Sequence, residues 1–115
     1  MTRMDSRFIS AVRELVQLLV ACQYEEIARL THRERLDSKS IENAIREYGR
    51  KLIMPPPEKF DQLDVVEVRN GGEPRWSVRM PLWTQEEGSS DLSIELTVIK
   101  RKNEYVVELD DIHVL

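Results

Sequence analysis

Phe8, Ile9, Val12, Leu15, Val16, Leu19 and Val20 recur every three or four positions, with Arg7, Arg13, Glu14 and Gln17 between them. At 3.6 residues per turn these positions form one apolar stripe, which predicts an amphipathic helix from about Asp5 to Ala21. Asp5 or Ser6 can cap its start by accepting from the first unpaired backbone N–H groups. Tyr24, Ile27, Ala28 and Leu30 continue in a shifted phase, so a second, short helix is predicted over Tyr24–Thr31, with a kink near Cys22-Gln23. The polar run His32-Arg33-Glu34-Arg35 reads as a linker. A third helix is predicted from about Ser38 to Tyr48, its stripe made by Ile41, Ala44, Ile45 and Tyr48. Asp37 is its N-cap, Leu36 and Ile41 its hydrophobic staple, and Gly49 the residue that ends it.

The period then changes from about 3.6 to 2. Pro55-Pro56-Pro57 lack N–H donors and constrain their predecessors, so Leu52–Glu58 is predicted as a stiff, extended connector. Leu63–Arg69, with Val65, Val66 and Val68, suits a first strand, and Asn70-Gly71-Gly72-Glu73-Pro74 a turn. Trp76, Val78, Met80 and Leu82 alternate with Arg75, Ser77, Arg79 and Pro81, the latter set joined by Trp83. After a loop over Gln85–Ser90, Leu92, Ile94, Leu96 and Val98 alternate with Ser93, Glu95, Thr97 and Ile99. Lys102-Asn103 turns the chain again, and Tyr105, Val107 and Leu109 alternate with Val106, Glu108 and Asp110. Alternation of this length predicts three long strands, Arg75–Thr84, Leu92–Arg101 and Glu104–Leu115, in an antiparallel sheet with one covered face. The expected fold is α+β, with two or three N-terminal helices packed on one face of a four-stranded antiparallel meander. One domain is expected over residues 1–115: a helical part at 5–49, the connector at 52–58 and a sheet part at 63–115.

Composition narrows the function classes. A net charge of −4 argues against a nucleic-acid binder, which needs a basic surface to release phosphate counterions. One cysteine, Cys22, excludes an intramolecular disulfide and a cysteine-rich zinc site, and suits a reducing compartment. Leu19-Val20-Ala21-Cys22 is shaped like a lipoprotein cleavage box, but Arg13 and Glu14 interrupt the apolar segment that a secretory leader requires. No run approaches the roughly 18 apolar residues of a membrane span. A cytoplasmic protein without membrane contact is expected.

Candidate chemistry is sparse. Asp110-Asp111-Ile112-His113 is where acids and a histidine cluster. Strict alternation places Asp111 and His113 on one face and Asp110 on the other, so Asp111 could orient His113 as part of a general-base arrangement. The alternative is solvent-facing residues at a strand end. Two histidines without matched spacing do not make a metal site, so no metal and no cofactor is expected. Tyr48 and Trp76, with Tyr24 and Met80, either line a pocket under the helices together with Asp111 and His113 or simply pack the core. Trp83, Ile99, Val106 and Ile112 fall on the face opposite the core, among Arg75, Arg79, Glu95, Glu108 and Asp110. An apolar centre ringed by charges is the composition of a protein-binding patch. Asp61, Asp64, Glu67 and Glu108, with Asp110 and Asp111, could instead meet the basic cleft of a partner if the first and last strands lie close.

The opening helix Phe8–Val20, followed by Tyr24-Glu25-Glu26-Ile27, and the closing strands Trp76–Trp83, Ser93–Val98 and Tyr105–Val114 give the chain a pattern that resembles the NTF2-like and cystatin-like α+β superfamily. The resemblance implies a cone-shaped pocket between helices and sheet. Some members are enzymes with an acid or histidine in that pocket; many bind partners or dimerise through the exposed sheet face, and some resemble bacterial immunity proteins that neutralise toxins. This chain departs from the catalytic members in lacking an Asp–His pair on its helices. The expectation is therefore a non-catalytic domain that binds a protein, such as a toxin domain, by occlusion. A small-molecule-binding or enzymatic pocket protein and a structural homodimer are the alternatives.

Overall fold

The computed structural model describes residues 5–31, 36–69 and 72–115. The expected linker His32–Arg35 and the turn residues Asn70 and Gly71 lie outside them.

Three helices come first: α1 (Ser6–Val20), α2 (Tyr24–Leu30) and α3 (Ser38–Tyr48). α1 and α3 are capped at their starts as the sequence predicts, by Asp5 and Asp37. The Asp5 carboxylate accepts from the Arg7 N–H at 2.8 Å, and that of Asp37 from the Ser40 N–H at 2.8 Å. These backbone hydrogen bonds favour the charged form and hold both carboxyls below their ordinary pKa. A depressed carboxyl contributes stability that is present above its unfolded-state pKa and lost as pH falls through the lowered, folded-state value. The gap in thermal midpoint between the wild type and Asp37→Ala should therefore shrink as pH is taken from about 7 to about 2. A gap that stays constant over that range would contradict the capping role.

The kink expected at Cys22-Gln23 has a specific cause. The Gln23 N–H reaches the Leu18 carbonyl at 2.9 Å, and the Cys22 N–H reaches the Leu19 carbonyl at 3.1 Å. That pair of bonds is a Schellman motif, whose closing residue must be left-handed. Here Cys22 takes that place, with φ 59°, where glycine would meet no Cβ penalty. Cys22→Gly is expected to raise stability by roughly 1 kcal/mol, read as a higher urea midpoint. An unchanged or lower midpoint would count against the motif. At the end of α3, Gly49 itself occupies the left-handed position, with φ 74°.

The strands are β1 (Leu52–Ile53), β2 (Asp64–Val68), β3 (Arg75–Thr84), β4 (Gly88–Arg101) and β5 (Glu104–Val114), all paired antiparallel. β3, β4 and β5 follow one another as hairpins. The edge of β3 away from β4 is shared: β2 pairs with Arg75–Arg79 and β1 with Trp83–Thr84. The sheet is thus the expected four-wide meander with a split first edge.

The split corrects the reading of Leu52–Glu58 as connector throughout. Leu52 is buried in the core and draws its neighbours into the ladder. Pro57 opens a 3₁₀ turn, Pro57–Asp61, and stands at its start, where a missing N–H breaks no helical hydrogen bond. That turn delivers Phe60 into the core, with the Arg13 guanidinium 5.1 Å from its ring centre. The loop expected over Gln85–Ser90 is shorter than predicted, because Gly88, at φ 75°, lets the hairpin close after Glu87. Tyr48 reinforces this corner by donating to the Glu87 carboxylate at 2.9 Å and accepting from the Asp91 N–H at 3.3 Å.

Phe8, Val12, Leu15, Val16 and Leu19 of α1, with Ile27, Ile41 and Ile45, pack on Val78, Met80, Leu82, Ile94, Leu96, Val98, Val107 and Leu109. These strand residues alternate onto one face of the sheet, the inner face; the other is called outer below. Among the described residues, no helix is long and apolar enough to cross a membrane.

Candidate functional site

Cross-strand register sorts the outer face into tiers. At one end lie Val68, Arg75, Ile99 and Val106; next come Val66, Ser77, Thr97 and Glu108; then Asp64, Arg79, Glu95 and Asp111; and finally Pro81, Ser93 and His113. The middle of this face is mostly polar and its apolar residues gather at the Val68–Val106 end, so the expected apolar centre ringed by charges does not form. Trp83 pairs with Ser89 and Ile53, about 26 Å along β3 from Arg75 at strand rise. It is half-buried and lines a groove with Lys59, Gln62, Asp64 and Arg79. Trp83 and Val106 therefore do not share a patch.

Two of the expected patch residues are not surface at all. Ile99 is 2% exposed. Its cross-strand neighbours are Arg75 and Val106, and the Arg75 Nε is itself shielded from solvent, the pattern of a long side chain whose stem covers apolar surface. Ile112 belongs to the inner core, 9% exposed.

Ile112 turns inward because of a β-bulge. Leu96 pairs with Leu109, but Glu95 pairs with Asp111, so Asp110 is an extra residue in β5. Beyond it the side-chain phase reverses. Ile112, opposite Ile94, turns inward, and Asp111 and His113 turn outward. Asp110 also reaches the outer face, where its carboxylate accepts from the Thr97 hydroxyl at 2.5 Å. The bulge thus sets two consecutive carboxylates on one side of the sheet, which regular alternation forbids.

What it gathers is compact. One donor atom each from Glu95, Asp111 and His113 lies within 4.8 Å of the others, and all three side chains are half-buried. His113 Nδ1 is 3.1 Å from Asp111 Oδ2, while Asp111 Oδ1 accepts from the Ile112 N–H at 3.0 Å, so the carboxylate is held at both oxygens. Arg79 Nη2 donates to Glu95 Oε1 at 2.7 Å. Directly across from His113 sits Ser93, 1% exposed, whose hydroxyl has no hydrogen-bond partner among the described residues. A buried hydroxyl left unpaired costs on the order of 1–3 kcal/mol, so its presence calls for an explanation.

The expected pocket set does not assemble. Asp111 and His113 lie on the outer face. Tyr48 is engaged at the β3–β4 corner, and Trp76 stacks edge-on with Phe8 at the opposite end of β3. Glu95 and Ser93, in turn, were not legible as companions of His113. The signal that could have found them is the break in apolar phase from Leu109 to Ile112, spanned by the Asp110-Asp111 doublet.

These features define an α+β domain in which helices seal one face of an antiparallel sheet and leave a carboxylate- and imidazole-bearing face uncovered. Residues 16–115 match the family described as a domain of unknown function, DUF7668, and the chain belongs to that family. No curated protein and no solved structure matches it.

Proposed function

We propose that this chain is a non-catalytic protein-binding domain that acts by occlusion, its outer sheet face lying against a cationic surface of the partner. The sharper form of the proposal is a toxin-neutralising immunity protein. The observation that carries it is the charge of the β4–β5 half of that face. Glu95, Glu108, Asp110 and Asp111 stand on adjacent strands, and Arg79 is paired to Glu95. A concentrated acidic surface steers a basic partner into register and raises its association rate. Partner binding then needs no nucleophile and no deep cavity.

The test is a pull-down with the wild-type chain beside a Glu108→Lys, Asp110→Lys variant whose fold is checked by circular dichroism. The proposal expects one stoichiometric basic protein, inhibited in its own activity by the wild type, with affinity lowered about tenfold or more by the charge reversal. Association should also slow as salt is raised past about 0.15 M. A partner held equally by both chains, or a chain already dimeric through its outer face, would contradict the proposal.

A further inference from the structure

We propose that Glu95, Asp111 and His113, together with the Ser93 hydroxyl, form a binding site for a zinc-class divalent cation at the β5 bulge. The inference stands on the local geometry and does not rest on the protein-docking reading. The 3.1 Å separation of His113 Nδ1 and Asp111 Oδ2 is close to the roughly 3.3 Å edge of a tetrahedron with metal–ligand bonds of about 2.05 Å. A cation can therefore take the place of the proton shared by these two atoms with little movement of either. Asp111 is held for that role by its second oxygen, which accepts from the Ile112 N–H.

Glu95 uses Oε1 for Arg79, and no hydrogen bond among the described residues takes its other oxygen, which can serve as a ligand. The remaining position falls to Ser93, opposite His113 on the same face, whose buried hydroxyl is without a partner among the described residues. Directly, or through a metal-bound water, it gains a partner when the cation enters. With a neutral imidazole, two carboxylates and the Arg79 guanidinium, the group carries a net charge of −1, which favours a cation.

Ligand chemistry selects the ion. One imidazole and two carboxylates suit Zn²⁺ or Co²⁺. Ca²⁺ asks for six or more oxygens, and Mg²⁺ for an octahedron of them.

The experiment is calorimetric titration of the full chain with Zn²⁺, in a Cys22→Ser, His32→Gln background that removes the two other zinc-preferring side chains. The expected result is saturable binding of one ion per chain. His113→Ala and Asp111→Asn should each weaken it about tenfold or more, Ser93→Ala should weaken it by a smaller factor, and Arg79→Gln should tighten it. Because a variant can fail to fold, a second measurement uses the unsubstituted chain: the His113 ring resonances should shift on addition of Zn²⁺ in proportion to occupancy. No saturable binding, binding unchanged by His113→Ala, or His113 resonances that stay in place would each overturn the site.

Discussion

Ile112→Ala should cost about 2–4 kcal/mol of folding stability, measured by urea denaturation. Ile112→Asp, which buries a charge without a partner, should leave little folded protein. Ile112 is 9% exposed, sits opposite Ile94 and packs in the same core as Leu96 and Leu109. Truncation there removes apolar burial and leaves a cavity. Under unbroken alternation the same side chain would face outward, and its loss would fall within about 0.5 kcal/mol, as for most surface positions. The two outcomes differ by several times the error of the measurement. Val114→Ala is the control: at 58% exposure its effect should be small.

Phe8→Ala should be at least as damaging, at about 3–5 kcal/mol. Phe8 is fully buried, and its ring meets Trp76 at 5.6 Å and 88° and Tyr105 at 5.5 Å and 77°. Both are edge-to-face contacts, the geometry that the ring quadrupoles favour. Trp76 comes from β3 and Tyr105 from β5, so Phe8 is the point where α1 grips both strands. In a Trp83→Phe background the remaining Trp76 fluorescence should shift to the red in the Phe8→Ala variant. A loss under about 1 kcal/mol, with unchanged fluorescence, would show that α1 is not held there.

Much of this fold was legible because its determinants are local. The α1 and α3 stripes, the Asp5 and Asp37 caps and Gly49 each act within one or two turns of helix, and the alternation from Trp76 to Leu109 fixes a face residue by residue. Non-local features were less readable. β1 is two residues long and exists because Leu52 reaches a core built mostly by other elements. The left-handed Cys22 carries no glycine to announce it.

The candidate site is legible only in part, for a related reason. His113 and Asp111 stand out in the sequence, but their face follows from a period that one extra residue reverses. Glu95 and Ser93 join them only through the register of β4 on β5. Ile99 alternates outward as predicted, yet its neighbours across the strands bury it, which a single-strand pattern cannot show.

The outer-face cluster depends on the bulge at Asp110, and inter-strand nuclear Overhauser contacts between β4 and β5 test that bulge most directly. The structure predicts contacts pairing Ile94 with Ile112 and Ser93 with His113, beside the Leu96–Leu109 pair. A ladder running without a shift, with Ile94 paired to Asp111 and Ser93 to Ile112, would contradict it and dissolve the outer-face cluster.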